Sequence, residues 1–179
     1  MHYRRDRTAG GTYFFTVVTE RRQPLLTLPG NIERLRESFG RERKRHAFEI
    51  ESIVVLPDHL HCIWVLPGGD SDYSGRWARI KRYFSMGCAG VDAPASVSRK
   101  AKREHNVWQR RFWEHLIRDD ADWRRHIDYI HYNPVKHGYA ASPWEWPYSS
   151  LQRCAEQGWY PQKWGECEPV AIKELAAGE

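Results

Sequence analysis

An α+β fold, with an antiparallel sheet of about four strands and helices packed mainly on one face, is what the chain predicts, and three observations carry it. Short β-branched and aromatic runs alternate with amphipathic segments of helical period in the order β-α-β-β-α-β-α. Two of the strand-like runs are separated by no more than Pro57 and Asp58, which leaves room for a tight hairpin and little else. The 179 residues are 41% hydrophobic and include 9 Trp, 9 Tyr and 6 Phe, enough large apolar surface for one domain with its own core.

The first strand is TYFFTVVT at 12–19, which follows a basic arm (Arg4, Arg5, Arg7) and the hinge Gly10-Gly11. Pro29, Gly30 and Asn31 open an amphipathic helix reaching about His46, with Ile32, Leu35 and Phe39 on one face and six Lys or Arg residues largely on the others. FEIESIVVL at 48–56 and HLHCIWVL at 59–66 are the hairpin strands. Ser74 is a candidate cap for a second helix through Trp77, Ile80 and Phe84, ending near Gly87. Residues 88–107 are small, polar and basic without a period, which predicts a long mobile loop. WQRRFWEHLIRD at 108–119 reads as a fourth strand, and Asp119 and Asp120 begin a last helix that Pro134 is expected to stop. SPWEWPYSS at 142–150 holds too much Pro and Trp for a regular element and reads as a lid packed on the core, with aromatics that stack on a ligand as the alternative.

Cys62, Cys88, Cys154 and Cys167 form no CxxC pair, and no apolar leader follows the start MHYRRDR, so a reducing cytoplasm is the expected compartment. No run approaches the roughly 18 apolar residues of a transmembrane helix, which removes membrane roles. The net charge is +5, with a net of −2 on residues 151–179 and therefore +7 on the first 150. Basicity interleaved with aromatics in the folded part is the electrostatic footprint of a polyanion binder.

His59 and His61 stand two apart in a strand, so both imidazoles project from one sheet face as a two-toothed metal clamp. The same pattern alone also describes two half-exposed histidines at a strand end. On the last helix, Trp123, Ile127 and Ile130 form the core stripe, while His126, Tyr129 and Asn133 share one flank. Tyr129 and Asn133 are i and i+4 neighbours; alone they also suit a core-edge aromatic and a stop before Pro134.

PDHLHCIWVLP, WQRRFWEHLIRD, HIDYIHYNPVKHGY and SPWEWPYSS, in this order and spacing, make residues 1–150 resemble the REP-associated tyrosine transposases, a branch of the single-tyrosine HUH transposases. Residues 151–179 then form a C-terminal extension outside the resemblance. The resemblance implies a ferredoxin/RRM-like HUH nuclease fold, His59, His61 and Asn133 as ligands of magnesium or manganese, and Tyr129 as nucleophile. Leu60 supplies the hydrophobic middle of the HUH motif. The implied substrate is single-stranded DNA folded into an imperfect palindromic hairpin, with a short flanking sequence that helps specify the cut and no small-molecule substrate, handled by a monomer rather than a dimer.

These residue types suit that chemistry. Two imidazoles and one amide oxygen leave a cation open positions at which to polarise a phosphate. A tyrosine attack then stores the phosphodiester as a covalent 5′-phosphotyrosine and releases a 3′-OH. A free phenol titrates near about 10, so ionising it at neutral pH costs about 4 kcal/mol, and His126, Lys136 and His137 are candidate helpers. Tyr132 is a rival nucleophile further round the helix. Arg4, Arg5, Arg7, Arg76, Arg79, Lys81, Arg82, Arg99, Lys100, Arg110 and Arg111 are the candidate DNA-binding cations. The competing readings are a hairpin-binding protein of the same fold without catalysis and an RNA-binding module.

Overall fold

The computed structural model describes residues 7–88, 106–169 and 172. In chain order it contains β1 (Thr12–Val18), α1 (Asn31–Arg45), β2 (Glu49–Val55), β3 (His59–Val65), α2 (Tyr73–Ser85), β4 (Trp113–Leu116), α3 (Asp120–Lys136) and α4 (Leu151–Glu156). The strands form one antiparallel sheet in the order β2-β3-β1-β4, the α+β arrangement expected.

Side-chain alternation along β1 and β3 divides the molecule into two layers. Tyr13, Phe15, Val17, Leu60, Cys62 and Trp64 face α1 and α2, where they meet Leu35, Phe39, Trp77, Ile80 and Phe84. Trp64 stacks on Trp77 with ring centroids 4.3 Å apart. Phe14 and Ile63 point the other way, onto Ile127, Tyr129 and Ile130 of α3. Two long helices thus cover one face and a third covers the other. Thr16 lies opposite His61 and Val18 opposite His59, so both histidines share the α3 face with Phe14.

Three boundaries differ from expectation. The fourth strand is confined to Trp113–Leu116, because Gln109, Arg110 and Arg111 are exposed and Trp108 makes an isolated bridge to Thr19. Asp72, not Ser74, caps α2, its Oδ1 accepting from the Gly75 N–H at 2.8 Å. Pro134 does not stop α3, which runs on to Lys136. A proline this close to the end removes one backbone hydrogen bond from a turn that is already closing. Gly138, at φ +72°, takes the left-handed conformation that ends the chain's helical path. Of the long loop expected over 88–107, residues 89–105 lie outside the described residues, and Asn106 and Val107 are buried.

The segment after α3 closes its layer. In the lid, the Trp146 indole N–H donates to the Val55 carbonyl at 3.0 Å. A directional chain of hydrogen bonds then ties α3 to α4 and β2. The Ile53 N–H donates to the Ser150 hydroxyl (2.8 Å), which donates to His131 Nε2 (2.9 Å). His131 Nδ1 donates to the Tyr160 hydroxyl (2.9 Å), which donates to Asp128 (3.0 Å). Each member is satisfied, so deleting the middle one takes the acceptor from the Ser150 hydroxyl and the donor from the Tyr160 hydroxyl, both buried, and leaves a cavity between them. His131→Ala is expected to cost about 2–5 kcal/mol, lowering Tm by roughly 10 °C in a thermal melt. Burial, with Arg153 adding to it, pushes the His131 imidazole from 6.5 down to about 3. Its contribution is therefore full above about pH 6.5 and is lost as the pH falls towards 3, and the same window should flatten in the variant.

Candidate active site

β3 is a central strand, and its hairpin turn aims both histidines at α3. The His59 and His61 rings lie 5.0 Å apart and nearly perpendicular. Both are held from behind. His59 Nδ1 meets Asp58 Oδ1 at 2.6 Å, and His61 Nδ1 meets Thr16 Oγ1 at 2.8 Å. Burial raises the Asp58 carboxyl, but hydrogen bonds and charge from His59 and Arg22 outweigh it and hold the group at about 2, ionised and accepting. The Asp58 carboxylate can only accept, so His59 Nδ1 carries the proton and its Nε2 lone pair lies away from the support; the Thr16 hydroxyl can accept from His61 Nδ1 in the same way, the tautomer a metal ligand needs.

α3 supplies the opposite wall. Tyr129, Asn133 and His137 recur every four residues and share one helix face. The Tyr129 ring touches His61 at 5.1 Å, and the His137 ring touches His59 at 5.1 Å. Asn133 therefore lies between two residues that each contact one of the paired histidines. It is fully buried, and neither its amide oxygen nor its nitrogen has a hydrogen-bond partner among the described residues. An orphaned buried amide is costly unless something else satisfies it. Two imidazole nitrogens and an unsatisfied amide oxygen fit a divalent cation.

The Lys136 ammonium lies 4.7 Å from the Tyr129 ring centroid and 3.5 Å from its hydroxyl. A cation at that oxygen lowers the cost of ionising the phenol. Burial pushes the Lys136 ammonium below its usual range, against a raising effect of Glu168. His137 is likewise pushed down by burial and by the neighbouring His59, which favours its neutral form. Phe14 forms the apolar floor, 5.5 Å from His61 and 6.1 Å from Tyr129.

His126 occupies a separate cluster one turn earlier. Its Nδ1 meets the Asp122 carbonyl at 2.8 Å, Asp122 accepts from His115 Nε2 at 2.7 Å, and the His115 and His126 rings stack at 4.6 Å. One donor atom from each of the three lies within 4.8 Å of the others. Asp122 also accepts from the Arg118 N–H at 3.1 Å, so the set clamps β4 to the first turn of α3. Tyr132 lies against Trp164 at 6.5 Å, on the periphery of the α3 layer.

The cations sort by burial. Arg76 is not a DNA contact: it is 2% exposed, its guanidinium held by Asp70 at 2.6 Å and by the Ala47 carbonyl at 2.9 Å. Arg79 is paired with the buried Glu42 at 2.8 Å, and Lys81 donates to the Gln109 carbonyl at 3.0 Å. Arg7, Arg82, Arg110 and Arg111 are exposed. Arg4, Arg5, Arg99 and Lys100 lie outside the described residues. Reading the sequence missed Thr16, Asp58, His115 and Asp122. Asp58 carried a signal, an acid next to an HxH strand, that its place in the turn disguised.

No family model matches the chain. It is 42% identical over 178 residues to the REP-associated tyrosine transposase of Escherichia coli K12, a match covering 99% of this chain and 96% of that protein. It is also 42% identical over 172 residues to a protein of Haemophilus influenzae named as a REP-associated tyrosine transposase, covering 96% and 97%. A solved structure described as a REP-associated tyrosine transposase bound to a REP hairpin superposes with a TM-score of 0.78 at 42% identity, over 94% of this chain and 93% of that one. With identity of that level across nearly the whole length of each, and the same fold, this chain belongs to the REP-associated tyrosine transposase family.

Proposed function

We propose that the chain is a metal-dependent single-stranded DNA endonuclease and strand transferase that acts on palindromic hairpins through a covalent 5′-phosphotyrosine at Tyr129. The observation that carries this reading is the Tyr129 ring in contact with His61, whose Nδ1 is tied to Thr16. The hairpin-bound relative supports the substrate class. A divalent magnesium or manganese ion held by His59, His61 and Asn133 would supply positive charge to the scissile phosphate. Lys136 steadies the developing phenolate. The Tyr129 oxygen attacks phosphorus, the P–O3′ bond breaks, the 3′ oxygen leaves as a hydroxyl on taking a proton, and the 5′ phosphate stays esterified to the phenol. Reversal by an incoming 3′-OH rejoins strands without an external energy source.

Histidine pair and tyrosine meet within one chain, which supports a site complete in a monomer. The catalytic set falls within residues 1–150, and the segment beyond buttresses α3 through Tyr160. Among the described residues no helix is long and apolar enough to cross a membrane.

A tyrosine on a helix beside a sheet-mounted clamp needs one strand laid across it, and a duplex supplies that only by unpairing at about 1.4 kcal/mol per step. Single-stranded DNA carrying a hairpin and an unpaired flank should be cut, while the same sequence as perfect duplex should resist at matched occupancy. Digestion of the two side by side with manganese or magnesium is the measurement, and equal cutting of the duplex would overturn the mechanism.

A further inference from the structure

The exposed aromatic Trp113 stands on the same sheet face as the candidate site, and nothing in the chemistry above uses it. Trp113 is 42% exposed on β4, an edge strand paired on one side with β1. Thr16 of β1 lies opposite both His61 and Trp113, so the three share a face across adjacent strands. Strand spacing puts the indole two strands, roughly 10 Å, from the His61 backbone. We propose that Trp113 is the stacking platform for an unpaired nucleobase of the strand that enters the site; this rests on the single-strand cleavage reading above.

The indole is held in place before any ligand arrives. Phe14 meets it edge-on at 5.5 Å, and the His115 ring lies parallel to it at 5.8 Å and 9°. His115 is in turn fixed by Asp122, and Phe14 also contacts His61, so the platform and the histidine pair share one rigid floor. A preordered ring loses little entropy when a base stacks on it. Arg110 and Arg111 are exposed immediately before β4, where they can meet the phosphates on either side of a stacked base. An aromatic face flanked by guanidiniums suits single-stranded DNA, since every base offers a π-face and every linkage a negative charge. A stacked base next to the metal clamp would set which phosphate is presented to Tyr129.

The test uses the full chain carrying Tyr129→Phe, so that bound DNA stays intact. Trp113→Ala in that background should weaken binding of a hairpin with a single-stranded flank by about 10-fold or more. It should leave affinity for the bare hairpin stem unchanged, and Trp113→Phe should restore most of the loss. With 2-aminopurine walked along the flank, one position should be quenched by Trp113 and released in the alanine variant. Equal losses on both DNAs, no loss on either, or no quenched position would overturn the platform. These readouts need no cleavage: quenching at Trp113 in a chain whose parent forms no adduct would sink the catalytic reading alone. Cleavage without any flank-dependent affinity would sink the platform alone.

Discussion

Tyr129→Phe is expected to abolish cleavage and the covalent DNA adduct, with a rate loss of at least about 10⁴-fold, the scale seen when a nucleophile is removed. The ring that packs against His61 and Phe14 is retained, so the site wall keeps its shape and hairpin affinity should be nearly unchanged. Loss of rate without loss of binding is the signature of an interaction made only on the way to the transition state. Tyr132→Phe is the matched control, because that ring lies against Trp164 at the edge of the layer. Adduct formation is read on denaturing gels with labelled hairpin. If the adduct survived in Tyr129→Phe and vanished in Tyr132→Phe, the nucleophile would have to be reassigned.

The second large effect is at the paired histidines. His59→Ala and His61→Ala should each remove divalent-metal-dependent cleavage by on the order of 10³-fold, since charge stabilisation by a bound cation supplies several kcal/mol and each 1.36 kcal/mol is tenfold. A chelator should do the same to the unmodified protein. The supports behind the rings predict a graded series: Asp58→Asn and Thr16→Val keep the imidazoles but loosen their tautomer, and should lower metal affinity by about 10- to 100-fold. Titration of cleavage against manganese separates the two classes, because the support variants recover at high metal and the alanine variants do not. A double alanine variant cutting at the parental rate would leave the clamp without a role in the chemistry.

The sheet and the long helices were legible because their signals are local: alternation in TYFFTVV, helical spacing of Ile32, Leu35 and Phe39, and the tight turn at Pro57 and Asp58 between β2 and β3. The candidate pairing of His59 with His61 was equally local. What stayed hidden depends on contacts between distant segments. Thr16 lies 45 residues from His61, and nothing in its neighbourhood marks it as the hydroxyl behind an imidazole. Arg76 looked like its neighbours on α2, yet the strand-to-helix geometry closes Asp70 and the Ala47 carbonyl around it. Pro134 misled for a different reason: its cost depends on how much helix follows, and here that is two residues.

Sealing Arg76 into the protein bears on how the molecule responds to ionic strength. A polyanion gives up condensed counterions only to cations it can touch, at about 0.9 units of log-log slope for each phosphate neutralised on duplex DNA and about 0.7 on single strands. Arg76 is buried against Asp70 and so releases no ion when DNA arrives, while the half-exposed Arg79 already shares its charge with Glu42. The formal +7 of the first 150 residues is therefore a poor guide to that slope. Exposed groups such as Arg82, Arg110 and Arg111 set it, and removing one of them should make binding less salt-sensitive by about one unit, whereas removing Arg76 would act on the fold.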